Sequence, residues 1–194
     1  MRTAEISRKT KETDIAATIA LDGSGKYQLS TGMPFFEHML SAFAVHGNFD
    51  LELGLKGDLE VDSHHSVEDA GIVLGAAFAK ALGDKKGIAR FGSFYVPMDE
   101  ALAFACVDIS GRPFARLDFA PIEGRIMERF DPSLLTEFFR AFAVNAGITL
   151  HMSIMYGDNP HHMAEALFKA FARALRQAVV VSGGEIPSTK GSLS

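Results

Sequence analysis

The segment His-His-x-x-Glu occurs twice in the chain, as His64-His65-Ser66-Val67-Glu68 and as His161-His162-Met163-Ala164-Glu165. The same offset, 97, separates the first histidines (161 − 64) and the glutamates (165 − 68). Each copy opens an alanine-rich stretch with apolar residues at helical spacing. The first histidine and the glutamate, four apart, and the second histidine and the glutamate, three apart, therefore share neighbouring parts of one helix face. Side chains of adjacent residues diverge by roughly 100° around an α-helix, so one pair of histidines cannot easily chelate a single ion. Two copies of the motif thus suggest two metal ions. A lone histidine in a half-apolar chain is more often a hydrogen-bonded core or surface group than a ligand; recurrence at a fixed offset favours ligation.

A second echo supports a repeat. Ala42-Phe43-Ala44-Val45 matches Ala141-Phe142-Ala143-Val144 at an offset of 99, about half of the 194 residues. Two offsets near half the chain indicate a duplicated half-domain with a pseudo-twofold axis: residues 1–92, then 93–194 with a C-terminal tail over 182–194. In the first half, strands are expected over 4–10 and 14–21, with hairpin chemistry at Asp22-Gly23-Ser24-Gly25 before a strand over 26–30. A helix follows from Pro34 to a cap at Gly47, then a strand over 49–55 and the motif helix over 66–82. The second half reads as strands over 94–97, 101–109 and 113–119, a helix from Asp131-Pro132 to Gly147, a strand over 148–155 and a motif helix over 162–181. The expected fold class is α+β, each half a small β-sheet with two helices packed on it and phenylalanine-rich stripes facing the sheet.

With 47% hydrophobic and 22% charged residues the chain is ordinarily globular and long enough for one or two cores. A net charge of −5 without a run of Lys or Arg leaves no footprint for nucleic acid or an anionic membrane. The single cysteine, Cys106, excludes an intramolecular disulfide framework and all-cysteine zinc sites, and reads as core filler. A cytoplasmic location fits best, since neither a signal-peptide pattern nor an apolar run of ~18 residues occurs. No HExxH, GxxxxGK[ST], strand-linked GxGxxG or GxSxG is present, which leaves zincin, nucleotide, dinucleotide and serine-hydrolase chemistry unsupported. Arg8-Lys9-Thr10-Lys11-Glu12-Thr13 reads as a solvated edge and Met98-Asp99-Glu100 as a turn or strand end. Arg90, Arg112 and the tail Pro187-Ser188-Thr189-Lys190-Gly191 would suit a phosphate.

Taken together, residues 8–13, Met33-Pro34-Phe35-Phe36-Glu37-His38-Met39-Leu40, residues 64–75, Pro97-Met98-Asp99-Glu100-Ala101, Ser110-Gly111-Arg112-Pro113, residues 161–177 and Pro187-Ser188-Thr189-Lys190-Gly191 resemble imidazoleglycerol-phosphate dehydratase, an enzyme of histidine biosynthesis. The resemblance implies a duplicated α+β domain in an octahedral homo-oligomer of two dozen subunits, with sites for two Mn²⁺ completed between subunits. It implies dehydration of imidazole glycerol phosphate to imidazole acetol phosphate, the metals binding the substrate imidazole so that the ring stores electrons while hydroxide leaves. Metal ligands would be His38, His64, His65, Glu68, His161, His162 and Glu165. Substrate contacts would come from Glu12, Arg90, Arg112, Lys169, Ser188, Thr189 and Lys190. Glu137 stands where many relatives carry a histidine just before Phe-Phe-Arg. The repeat offset of 99 matches it to His38, which makes it the expected eighth ligand. Glu12 is the first choice for moving protons, with Glu68 and Glu165 second because ligation would occupy their lone pairs. Mixed nitrogen and oxygen donors without thiolate also fit Fe²⁺, Co²⁺ or Zn²⁺.

From the residues alone two other readings stay open. One is a dimetal phosphoesterase with a bridging water; the other is a metal-dependent assembly without catalysis. No nucleic-acid or membrane partner is expected.

Overall fold

One order of elements runs through both halves of the chain, seen in a computed structural model that describes residues 1–125, 127, 130–191 and 193. Ser192 and Ser194 of the expected tail lie outside the described residues. The first half comprises β1 (Thr3–Lys9), β2 (Thr13–Ala20), β3 (Tyr27–Ser30), α1 (Pro34–Gly47), β4 (Asp50–Gly57) and α2 (His64–Leu82). The second comprises β5 (Phe91–Met98), β6 (Ala101–Asp108), β7 (Phe114–Asp118), α3 (Ser133–Ala146), β8 (Thr149–Tyr156) and α4 (Pro160–Ala178). Strand order is β1-β2-β4-β3 in one sheet and β5-β6-β8-β7 in the other, so the duplication holds in topology. Both motif helices start earlier than the periodicity suggests, which puts all four motif histidines in first turns.

The glycine-rich turn Asp22–Gly25 does not make a hairpin between β2 and β3. β4 lies between those strands, antiparallel to β2 and parallel to β3. The turn is instead organised by a residue distant in sequence: Asp50 Oδ1 accepts from Ser24 N at 2.8 Å and Lys26 N at 2.9 Å. A Cβ on Gly23 would lie 2.4 Å from Asp50 N, so the glycine serves this approach. The first hairpin is β1–β2, paired from Thr3↔Ala20 to Lys9↔Asp14. Its turn is not merely a solvated edge, because the Arg8 guanidinium and the buried Thr13 hydroxyl both donate to Oδ2 of buried Asp69. That link holds the turn carrying Glu12 against the motif helix α2.

α1 ends one residue later than expected, with Asn48 rather than Gly47 in the left-handed conformation at φ 50°. Its counterpart in α3 is Gly147 at φ 64°, an offset of 99. Asparagine tolerates this region, so either residue closes a helix here.

α2 packs on the first sheet and α4 on the second, while α3 packs on α2 and α1 on α4. The phenylalanine stripes consequently meet one another between the halves as well as the sheets. Phe43 lies 5.7 Å from Phe171, Phe78 lies 5.6 Å from Phe142, and Phe36 lies 5.4 Å from Phe138, centroid to centroid. Offset and edge-on pairs of this kind add about 0.5–1.5 kcal/mol each beyond area burial.

α2 and α3 approach closely through Gly71 and Gly75. A Cβ would lie 2.6 Å from Phe138 O at Gly71 and 2.6 Å from Phe142 O at Gly75. Glycine inside a helix costs about 1 kcal/mol relative to alanine. Gly75→Ala should nevertheless destabilise the protein by about 1–3 kcal/mol, because overpacking against backbone outweighs propensity. Denaturant unfolding checks this, and a more stable variant would refute the close-contact argument.

Candidate metal centre

The histidine motifs sit where the chain changes direction into α2 and α4. Asp62 Oδ1 accepts from His64 N at 2.7 Å, and Asn159 Oδ1 accepts from His161 N at 2.9 Å. These bonds also have the 97-residue offset and brace both first turns, from the N-cap in α4 and from the residue before the N-cap in α2. Within each pair the rings stand nearly perpendicular, 86° for His64 and His65 and 87° for His161 and His162. The first histidine faces its own motif glutamate; the second faces a carboxylate from another element.

At the second motif a compact donor set results. α1 contributes His38, and α4 contributes His161 and Glu165. Their Nε2 atoms lie 3.1 Å and 3.2 Å from Glu165 Oε2. Among the described residues these are the one group of three metal-type side chains whose ligand atoms all lie within 4.8 Å of one another. Ligand atoms about 2.1 Å from a common ion at tetrahedral to octahedral angles are roughly 3.0–3.4 Å apart, so the trio fits a divalent ion. Phe35 packs edge-on to His161, at 5.3 Å and 80°. Glu165 is buried and also pairs through Oε1 with Lys169 Nζ at 2.6 Å. Burial pushes its carboxyl upward, but Lys169 and His38 outweigh this and hold it below the usual range.

The corresponding first-half set is more open. His64 Nε2 is 3.8 Å from Glu68 Oε2, while both Glu137 oxygens accept from Arg140 Nη1 at 3.1 Å. Glu137 lies on α3, the helix packed against α2. His65 Nδ1 faces Asp58 Oδ2 at 3.1 Å, with Glu12 Oε2 3.9 Å away. His162 Nδ1 faces Glu100 Oε2 at 2.8 Å. The hydrogen bond to Asp58 raises the pKa of His65, and that to Glu100 raises the pKa of His162. Glu100 itself is lowered to about 2, first by His162 and then by the Asn159 N–H.

The expected phosphate residues converge elsewhere. Arg90, Arg112, Pro187, Ser188, Thr189, Lys190 and Leu193 line an open cavity of about 620 Å³. Arg90, at φ 69°, is clamped by Asp108 through Nε and Nη2 at 2.7 Å and 3.1 Å, and its Nη1 donates to Pro187 O at 2.9 Å. That anion raises the pKa of Arg90. Three cations face one carboxylate here, so an anion is still favoured.

Sequence reasoning passed over Asp58 and Asp108, and it treated Glu100 as a turn residue. One signal was available: Gly57-Asp58 at the end of β4 recurs as Gly157-Asp158 at the end of β8.

Residues 31–175 match the family model described as imidazoleglycerol-phosphate dehydratase. Curated proteins of that name include one from Thermoanaerobacter, 57% identical over 195 residues, and one from Methylobacterium radiotolerans, 54% identical over 198 residues. Both alignments cover all of this chain and all of the relative. Among solved structures, the dehydratase from Staphylococcus aureus superposes with a TM-score of 0.83 at 38% identity, over 93% of this chain and 99% of that one. The enzyme from Pyrococcus furiosus, in a ligand complex, gives 0.82 at 37% identity, over 97% and 100%.

For the metal-free protein, the His162–Glu100 pair defines a pH window. His162 is raised above 6.5, so its contribution is complete below 6.5 and is lost as pH rises through the raised value. Glu100 is lowered from 4.5 to about 2, so its contribution is complete above 4.5 and is lost as pH falls toward 2. The difference in thermal midpoint between wild type and Glu100→Gln, both stripped of metal, should peak between about 4.5 and 6.5. A flat difference across pH would show the pair to be uncoupled from folding.

Proposed function

Because the chain belongs to the imidazoleglycerol-phosphate dehydratase family, it removes water from imidazole glycerol phosphate to give imidazole acetol phosphate in histidine biosynthesis, and we propose that it does so at two-metal sites completed between copies of the chain. The family assignment takes away the ground for a phosphoesterase or a non-catalytic assembly.

One observation carries the proposal: the two half-sites lie at opposite ends of a single helix. His161 is in the first turn of α4, while the carbonyl of Ala178, its last residue, accepts from Arg90 N at 2.9 Å. Seventeen residues (178 − 161) at 1.5 Å each separate the ends by roughly 25 Å. The substrate spans roughly 10 Å from ring to phosphorus. One copy therefore does not reach from the ring beside His161 to the phosphate beside Arg90, which supports a site that takes one end from a second copy.

His38, His161 and Glu165 would hold one ion, and His64, Glu68 and Glu137 are proposed for the other once Glu137 is released from Arg140. His65 and His162, turned from their own glutamates, are left to complete the sets across an interface. Bound divalent ions supply Lewis-acid polarisation of the imidazole and hold it in place. We favour Mn²⁺, with Fe²⁺, Co²⁺ or Zn²⁺ as competitors for the same donors. Glu12, an exposed carboxylate beside His65 and outside both sets, would take the proton from carbon; Glu68 and Glu165 are second choices. Arg90, Arg112, Ser188, Thr189 and Lys190 would hold the phosphate, and Lys169 would face the substrate from beside Glu165. The inferred assembly is the octahedral homo-oligomer of two dozen subunits, in the cytoplasm. No described helix is long and apolar enough to cross a membrane.

Two experiments test this. Subunits carrying His161→Ala and subunits carrying Arg90→Ala, each inactive alone, should regain about a quarter of wild-type activity after dissociation and random reassembly, because some sites then draw both ends from intact copies. No recovery despite verified mixing would return both ends to one chain. Lys190→Ala should raise KM for the phosphorylated substrate at least about tenfold, from the loss of a charge-assisted contact. An unchanged KM would make the tail structural.

A further inference from the structure

We infer that Asp58 and Glu100 are positioning residues: each accepts a hydrogen bond from Nδ1 of the second motif histidine, His65 or His162, and so fixes the tautomer and ring direction that leave Nε2 free as a donor atom. The inference rests on the proposal that these histidines are metal ligands. An imidazole presents one lone pair when neutral, and the nitrogen that carries the proton is decided by what its other side meets. In both motifs the other side meets an anion. His65 Nδ1 lies 3.1 Å and 3.3 Å from the Asp58 oxygens, and His162 Nδ1 lies 2.8 Å from Glu100 Oε2. Carboxylate oxygens only accept, so Nδ1 carries the proton and Nε2 the lone pair. Partners of this kind orient ligating histidines and make them more basic.

Each carboxylate is held by the fold. Gly57 lets the end of β4 press on α2, since a Cβ there would lie 2.0 Å from Ser66 Oγ; Asp58 follows directly and anchors its own N–H on Glu12 O at 3.1 Å. Glu100 sits in the β5–β6 turn, the counterpart of the β1–β2 turn that carries Glu12. Its Oε1 accepts from Asn159 N at 2.8 Å and Asp158 N at 3.2 Å, leaving Oε2 for His162. One glutamate thus braces the entry to α4 and its second histidine together. The halves reach the same end by different routes. The post-strand aspartate serves His65, whereas its counterpart Asp158 is a backbone donor and the hairpin-turn glutamate serves His162.

The test is Mn²⁺ titration of metal-stripped protein by calorimetry, for Asp58→Asn and Glu100→Gln beside His65→Ala and His162→Ala. The amides keep the shape but can present a donor to Nδ1, which favours the wrong tautomer. Mn²⁺ should bind about 10–100-fold more weakly to each amide variant. Asp58→Glu and Glu100→Asp, which retain the acceptor, should recover part of the loss. Adding Asp58→Asn to His65→Ala should cost nothing further; a second loss of similar size would overturn the inference by showing that Asp58 acts elsewhere. Wild-type affinity in both amide variants, with weakened binding in the alanine variants, would overturn the positioning role and leave the ligand role standing. Wild-type affinity in the alanine variants would remove both. Glu100 also caps backbone, so if Glu100→Gln fails to fold, Asp58→Asn decides, because the Asp58 carboxylate has no hydrogen-bond partner among the described residues other than His65.

Discussion

Adjacent histidines at the start of an α-helix cannot look in the same direction, and much of this molecule follows from that angular constraint. Perpendicular ring pairs in both motifs mean that each motif serves two directions. One direction runs along the helix face to the glutamate one turn on. The other leaves the helix toward carboxylates on separate loops. This geometry is what supports the proposed reading, in which one chain supplies parts of two sites. The 19-residue length of α4 reinforces the consequence, since it keeps the metal-type trio and the phosphate-type cavity too far apart for one small substrate.

The arrangement depends in turn on how the halves pack. Gly71 and Gly75 let α3 reach the backbone of α2, which brings Glu137 alongside the helix that carries His64 and Glu68. On the other side α1 lies on α4 and brings His38 to His161. The pairing crosses between halves: the His38, His161 and Glu165 group mixes a motif helix from one half with the shorter helix of the other, and the proposed set with Glu137 would do the same. Phenylalanines between the helices pack these layers together.

A repeated pattern carries its own proof in a sequence, and this explains what could be read before the structure. Offsets of 97 and 99 disclosed the duplication and the α+β halves, but only the first histidine of each HHxxE motif shares a face with its glutamate, the second turning to Asp58 or Glu100. Glu137 entered as an expected ligand only by combining the offset with a family resemblance, and here its carboxylate accepts from Arg140. Contacts that depend on register were not readable. Asp22–Gly25 has every local mark of a hairpin, yet Asp50 shapes it because β4 is inserted beside β2. Asp58, Asp108 and Glu100 matter through partners 7, 18 and 62 residues away, distances at which one acidic side chain in sequence looks like any other. The cap at Asn48 was missed for a smaller reason: a glycine stood next to it and read as the better terminator.

Glu165 shows how such a site tolerates its own charge. A carboxylate buried to this degree is costly unless it is paired, and three groups reach it: His38, His161 and Lys169. Only Lys169 carries a charge that does not depend on histidine protonation near neutral pH. Its ammonium sits on Oε1, which leaves Oε2 facing both imidazoles. The carboxylate is thus split by function, one oxygen tied to a permanent cation inside α4 and the other presented with two nitrogen donors. An incoming divalent ion would replace the contacts at Oε2 without disturbing the ion pair at Oε1. The i, i+4 spacing of Glu165 and Lys169 makes that division a property of the helix itself, so the donor set is held ready by the same turn that positions the histidine.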